Sequence, residues 1–111
     1  MRTGLSVVVG LMAFSAVAYA VADIPTRYSG SFPSSGVVNN VSGTFTGSSL
    51  TLKYTVIRRQ RFFPATSTHT CSKAGANVTA CAGRYTAESG RTGPINVRIT
   101  WSAGQPVATK F

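Results

Sequence analysis

The chain has 111 residues, with eleven lysines and arginines against two acids, giving a formal charge of +9. That length suits one domain and is too short for two. With only Asp23 and Glu88 as carboxylates, the excess charge has no internal partners, and two-carboxylate chemistry of the glycosidase kind is excluded unless those two acids converge.

The first segment reads as an export signal. Arg2 supplies a single positive charge, Leu5 to Val17 an apolar run, and Ala18-Tyr19-Ala20 the small residues that precede a cut, with Ala20-Val21-Ala22 as a second register. The expectation is a signal helix over residues 1–20, cleaved after Ala20 or Ala22, and a periplasmic or secreted product. A retained anchor is the weaker reading, because the uncharged stretch Leu5 to Ala22 sits at the lower length limit for a span and no basic stop follows. Cleavage leaves 111 − 20 = 91 residues, so residues 21–111 form a single domain with no membrane-spanning segment. That domain carries ten basic residues against two acids, or 10 − 2 = +8.

Beyond Ala22 no apolar period of 3.6 residues persists, whereas β-branched and aromatic runs are cut by turn residues about every ten positions. Strands are expected at Thr26 to Phe32, Val37 to Thr46, Leu50 to Arg59, Ala65 to Ser72, Val78 to Ala87 and Ile95 to Trp101, with a weak last piece at Val107 to Phe111. The alternation is clearest where Leu50, Leu52, Tyr54 and Val56 share one face and Thr51, Lys53 and Thr55 the other. Turns at Thr46 to Ser49, Lys73 to Asn77 and Ser89 to Pro94 make the neighbouring strands antiparallel hairpins. The fold class is therefore all-β, a small antiparallel sandwich or partly open barrel of six to seven short strands. Its core is expected to rest on Tyr28, Phe32, Phe45, Tyr54, Tyr85 and Trp101. Eight membrane-spanning strands of nine to eleven residues do not fit in this length.

Folding the Lys73 to Asn77 hairpin about Ala76 sets Cys71 opposite Cys81, and an exported chain meets an oxidising compartment, so the two should be bridged. The competing metal reading takes His69, Cys71 and Cys81 as three ligands, but no second histidine exists. No metal and no cofactor are expected. A hydrolytic triad would have to recruit His69 with Asp23 or Glu88, Asp23 lying at a new N-terminus where chains fray. Phosphate-binding glycine loops are missing from the sequence, and the chain is read as non-catalytic. Asn40-Val41-Ser42 and Asn77-Val78-Thr79 match the N-glycosylation pattern, which matters only in a eukaryotic secretory route.

The most informative segment is Val56-Ile57-Arg58-Arg59-Gln60-Arg61-Phe62-Phe63-Pro64. Guanidinium groups bind phosphate and carboxylate bidentately, and adjacent rings insert or stack, so Arg58, Arg59, Arg61, Phe62 and Phe63 are the candidate anion-binding residues. The plainer expectation is a solvated strand end in which Phe62 or Phe63 turns into the core. Arg84, Arg91 and Arg98 are candidates to extend the patch. The function expected is binding of an anionic envelope component or acidic partner: anionic lipid, polysaccharide or acidic protein, with nucleic acid less favoured. Docking through a sheet edge is the alternative, and a small hydrolase is a third reading.

Overall fold

The computed structural model describes residues 23–111; the expected signal helix lies outside the described residues. Seven strands follow one another: β1 (Tyr28–Phe32), β2 (Val38–Phe45), β3 (Ser49–Arg58), β4 (Arg61–Gly75), β5 (Val78–Ala87), β6 (Thr92–Ser102) and β7 (Gln105–Lys110). Each pairs antiparallel with the next, in the order β1-β2-β3-β4-β5-β6-β7. β1 comes round to meet β7, so the single sheet is a nearly closed barrel. The sandwich alternative is thereby corrected. Every connection is a short hairpin that keeps consecutive strands adjacent, and no strand crosses to a second layer.

Five strands lie within three residues of the expected spans at either end, and the weak seventh is a true strand. β4 departs most, running from Arg61 rather than Ala65 and past Ser72 to Gly75. Pro64 is tolerated within it because its carbonyl faces β5, accepting from Glu88 N at 3.2 Å, and its donor-less nitrogen faces the same way, past the last ladder pair Ala65↔Ala87.

Alternation sorts the two faces. Leu50, Leu52 and Tyr54 are buried, while Thr51 and Lys53 between them are exposed. Ladder register then carries the inward set across the sheet: Leu50 faces Phe45 and His69, Leu52 faces Ser67, and Cys71 faces Cys81, which in turn faces Val97. The outer wall carries Thr66, Thr68, Thr70, Arg84 and Thr86, all exposed. This is the inverse of a lipid-facing barrel, whose exterior band is apolar.

The interior is organised around Trp101, which has no exposed surface. Phe45, Tyr28 and Phe32 surround its ring at centroid distances of 5.1, 5.7 and 6.2 Å. Its indole Nε1 donates to Thr79 Oγ1 at 3.0 Å, so the one polar atom of the ring is satisfied in the core. Of the aromatics expected inside, Phe32, Phe45, Tyr54 and Trp101 are buried and Tyr28 and Tyr85 are half-buried. Tyr85 instead lies over Gly93, where an added Cβ would come within 2.6 Å of its ring.

Two glycines permit the curvature. A Cβ on Gly43 would sit 2.0 Å from Thr51 O, and one on Gly83 only 1.8 Å from Thr68 O. At those points neighbouring backbones approach more closely than a side chain allows, as they do where a sheet bends into a barrel. The barrel's other fastening is at its start. Asp23 Oδ1 accepts from Ala103 N at 2.9 Å and Asp23 O from Gly104 N at 3.1 Å. The expected fraying of Asp23 is thus corrected: it is tied to the β6–β7 turn.

The Cys71–Cys81 disulfide joins directly opposed residues of β4 and β5. For so short a loop, the chain-entropy model assigns it about 2–3 kcal/mol.

Gly83→Ala should cost about 3 kcal/mol in urea unfolding, since neither backbone can yield without breaking the ladder. Gly90→Ala, at a turn with φ of 92° and open space around it, should cost about 1 kcal/mol. Equal losses would contradict the packing argument.

Candidate anion-binding hairpin

The Arg58 to Arg61 segment is a hairpin tip rather than a strand end. Arg58 pairs with Arg61, and the two residues between them, Arg59 and Gln60, both adopt positive φ, at 49° and 64°. Two consecutive positive φ values define the turn that matches strand twist, normally built from Asn-Gly. Placing Arg-Gln there costs on the order of 1 kcal/mol per residue.

The tip stands clear of the barrel. β5 pairs with β4 only from Ala65 downward, and the ladder of β2 with β3 ends at Val38↔Val56. Beyond the Val56↔Phe63 row β3 and β4 continue through Ile57↔Phe62, where only the Val37 carbonyl still joins β3, to Arg58↔Arg61. This corrects the plainer expectation for the phenylalanines. Phe63 has the inward parity of Val56 and of the buried Val38 beyond it, yet β5 does not reach its level on the other side. Phe63 is 43% and Phe62 69% exposed.

One loop residue joins them. Val37 O accepts from Ile57 N at 2.8 Å, which sets the exposed Val37 beside Ile57 and hence in line with Phe62. Sequence reasoning missed Val37 and Ile57, because their grouping depends on the β2–β3 register. Like charges face each other at Arg58↔Arg61, an unfavourable arrangement unless something anionic joins them. Glu88 lies at the foot of the projection beside Pro64, and Asp23 is held by the β6–β7 turn at the opposite end.

Arg84 and Arg98 do not join the tip. Arg84 and Arg98 lie on the outer wall, Arg84 donating to Thr92 Oγ1 at 3.3 Å and Arg98 opposing Lys110. Thr68, the partner of Arg84, lies six residues along β4 from Phe62, about 20 Å at strand rise. Arg91 sits in the β5–β6 turn, whose backbone closes on Ala87.

The interior holds a polar pair that the sequence reading also missed. Ser67 and His69, two apart on β4, both point inward, with Ser67 Oγ and His69 Nε2 at 2.7 Å. Their spacing at i and i+2 was the available signal. Both are buried, at 2% and 5% exposure, and His69 Nδ1 has no hydrogen-bond partner among the described residues. A catalytic serine needs an orienting group at that nitrogen and an open approach. Here the only acids, Asp23 and Glu88, are engaged at the base and exposed at the hairpin's foot respectively. Cys71 and Cys81 are consumed by their disulfide and have no thiolate to offer a metal beside His69. Burial pushes the His69 pKa below its ordinary value. It also raises that of Tyr54, with nearby Ser67 acting in the opposite direction and Tyr85 adding to the rise. Tyr54 Oη itself has no hydrogen-bond partner among the described residues.

No helix of the described residues is long and apolar enough to cross a membrane. Compared with family models, with curated proteins and with solved structures, the chain matches none.

His69 is the single histidine, so the interval just below pH 6.5 is diagnostic. Because its folded pKa is depressed, the unfolded chain binds the proton first. Stability should be constant above about pH 6.5 and fall as pH drops from there to the folded pKa. Urea midpoints of wild type and His69→Gln across pH 5–8 check this: the variant's curve should be flatter, and parallel curves would contradict it.

Proposed function

We propose that this is an exported, non-catalytic binding domain that uses the Arg58-Arg59-Gln60-Arg61 hairpin to hold an anionic envelope component or acidic partner. The observation that carries the reading is the turn itself. A two-residue turn that favours Asn-Gly is built from Arg-Gln, at a conformational cost, at the tip of a hairpin that extends past the ends of the neighbouring ladders. Arg58 and Arg61 oppose each other beside it, and neither acid of the described chain is placed to neutralise them. Like-charge repulsion at such a tip is what a bound anion relieves. Guanidinium groups suit phosphate and carboxylate, which they bind bidentately.

Export rests on the Met1 to Ala20 signal pattern, and a disulfide in a small domain is compatible with an oxidising compartment outside the cytoplasm. A second reading, docking of a protein strand on the sheet edge, draws on one observation. β1 and β7 meet without a hydrogen-bonded ladder between them among the described residues. Strands with unpaired backbone groups accept a further strand.

Replacing Arg58, Arg59 and Arg61 together by Ala should weaken binding to anionic probes about 100-fold at low salt, at about fivefold per cation. Vesicles containing phosphatidylglycerol, heparin and single-stranded DNA are suitable probes, and raised salt should abolish what binding there is. Exchanging Arg59-Gln60 for Asn-Gly should separate the two roles of the turn, raising stability by about 1–2 kcal/mol while lowering affinity. Binding to all three probes that ignores both changes would refute the assignment to this hairpin. A single protein partner recovered by cross-linking, indifferent to them, would favour the sheet edge.

A further inference from the structure

The hairpin is two-sided, and its two sides differ. Ladder parity puts Ile57 and Phe62 on the outer side, where Val37 lies beside Ile57 and exposed Pro64 is the next outer residue on β4. Val37 is 54% and Phe62 69% exposed. The same parity puts Arg58 and Arg61 on the reverse side, together with Val56 and Phe63 at the barrel mouth. A row of apolar side chains drawn from three strand segments thus backs onto a pair of guanidinium groups.

We infer, building on the binding role proposed above, that the anionic component is a lipid surface, with the Val37–Ile57–Phe62 row as the face that enters the acyl boundary. A nucleic acid strand or an acidic glycan in solution is held by rings and cations that converge on one face, because base or sugar and phosphate or carboxylate belong to one narrow chain. Here the most exposed ring and the paired arginines face opposite ways. A lipid interface has the matching order, apolar layer on one side and phosphates on the other, as interfacial amphipathic elements exploit. Long arginine side chains reach back from the reverse side to the headgroup level. From the Ile57↔Phe62 row to the turn the hairpin projects about 7–10 Å, within the depth such elements occupy. The outer wall below it, with Thr66, Thr68 and Thr70, is polar, so immersion stops at the hairpin's foot.

The test uses the secreted protein and its Phe62→Trp and Phe63→Trp variants with vesicles of phosphatidylcholine alone or mixed with phosphatidylglycerol, including acyl chains carrying bromine. Trp101, buried in the barrel, is the internal baseline. With the mixed vesicles, emission from position 62 should move to the blue and be quenched by the brominated chains, and emission from position 63 should change much less. Phe62→Ser should lower vesicle affinity about tenfold and heparin affinity by much less. Vesicle binding with no change at position 62, equal changes at both positions, or equal loss of heparin binding in Phe62→Ser would each overturn the inference. Binding to heparin or single-stranded DNA without binding to vesicles would overturn it too, while leaving the hairpin's anion-binding role standing. Binding to none of these probes would remove both.

Discussion

Trp101 is the constraint on which the architecture turns. It lies on β6, yet its ring is packed by Tyr28 and Phe32 from β1 and Phe45 from β2, the far end of the same sheet. A seven-stranded meander laid flat would leave these residues at opposite margins. Bringing them into contact rolls the sheet until β1 meets β7. Burial of so large a side chain, with aromatic edge contacts worth about 0.5–1.5 kcal/mol each beyond area, outweighs the cost of bending. The bend itself is permitted by Gly43 and Gly83, and the Thr79 hydroxyl removes the penalty of a buried indole N–H. The disulfide acts on a shorter scale, holding β4 and β5 in register while the aromatic cluster holds the ends of the sheet together.

Much of the strand order is legible without a structure, for a physical reason. A period of two over Leu50 to Val56 can be satisfied only by a strand with one dry face, and the midpoint between Cys71 and Cys81 fixes their hairpin's register. Closure is not legible, because it depends on contacts between residues some seventy positions apart and on two glycines whose role is to permit a close approach. A sandwich and a barrel have the same local pattern. What separates them here is that all six connections are tight hairpins.

The candidate site was legible as composition and not as geometry. Arg58 to Phe63 stands out in the sequence, but Arg-Gln carries no turn signal, so the apex was invisible. Nor does alternation alone reveal whether a phenylalanine of inward parity finds a core at its level. That depends on where β5 stops, at Ala87, and so on the register of a neighbouring hairpin. Val37 and the Ser67–His69 pair were hidden for the same reason, being defined by cross-strand neighbours or by a shared interior. The result is a division of labour: the barrel keeps its apolar groups around Trp101, and the hairpin carries charge and exposed rings on a segment the barrel does not need. Replacing the exposed Arg58 and Arg61 side chains should therefore disturb folding little.

Fluorescence of the single tryptophan tests the central claim most directly. If Trp101 closes the barrel, the folded protein emits at the blue end of the tryptophan range and resists quenching by acrylamide and iodide. Its emission then shifts to the red in the same cooperative step that abolishes the β-sheet signal. Red emission that acrylamide quenches freely in the folded state would contradict the account.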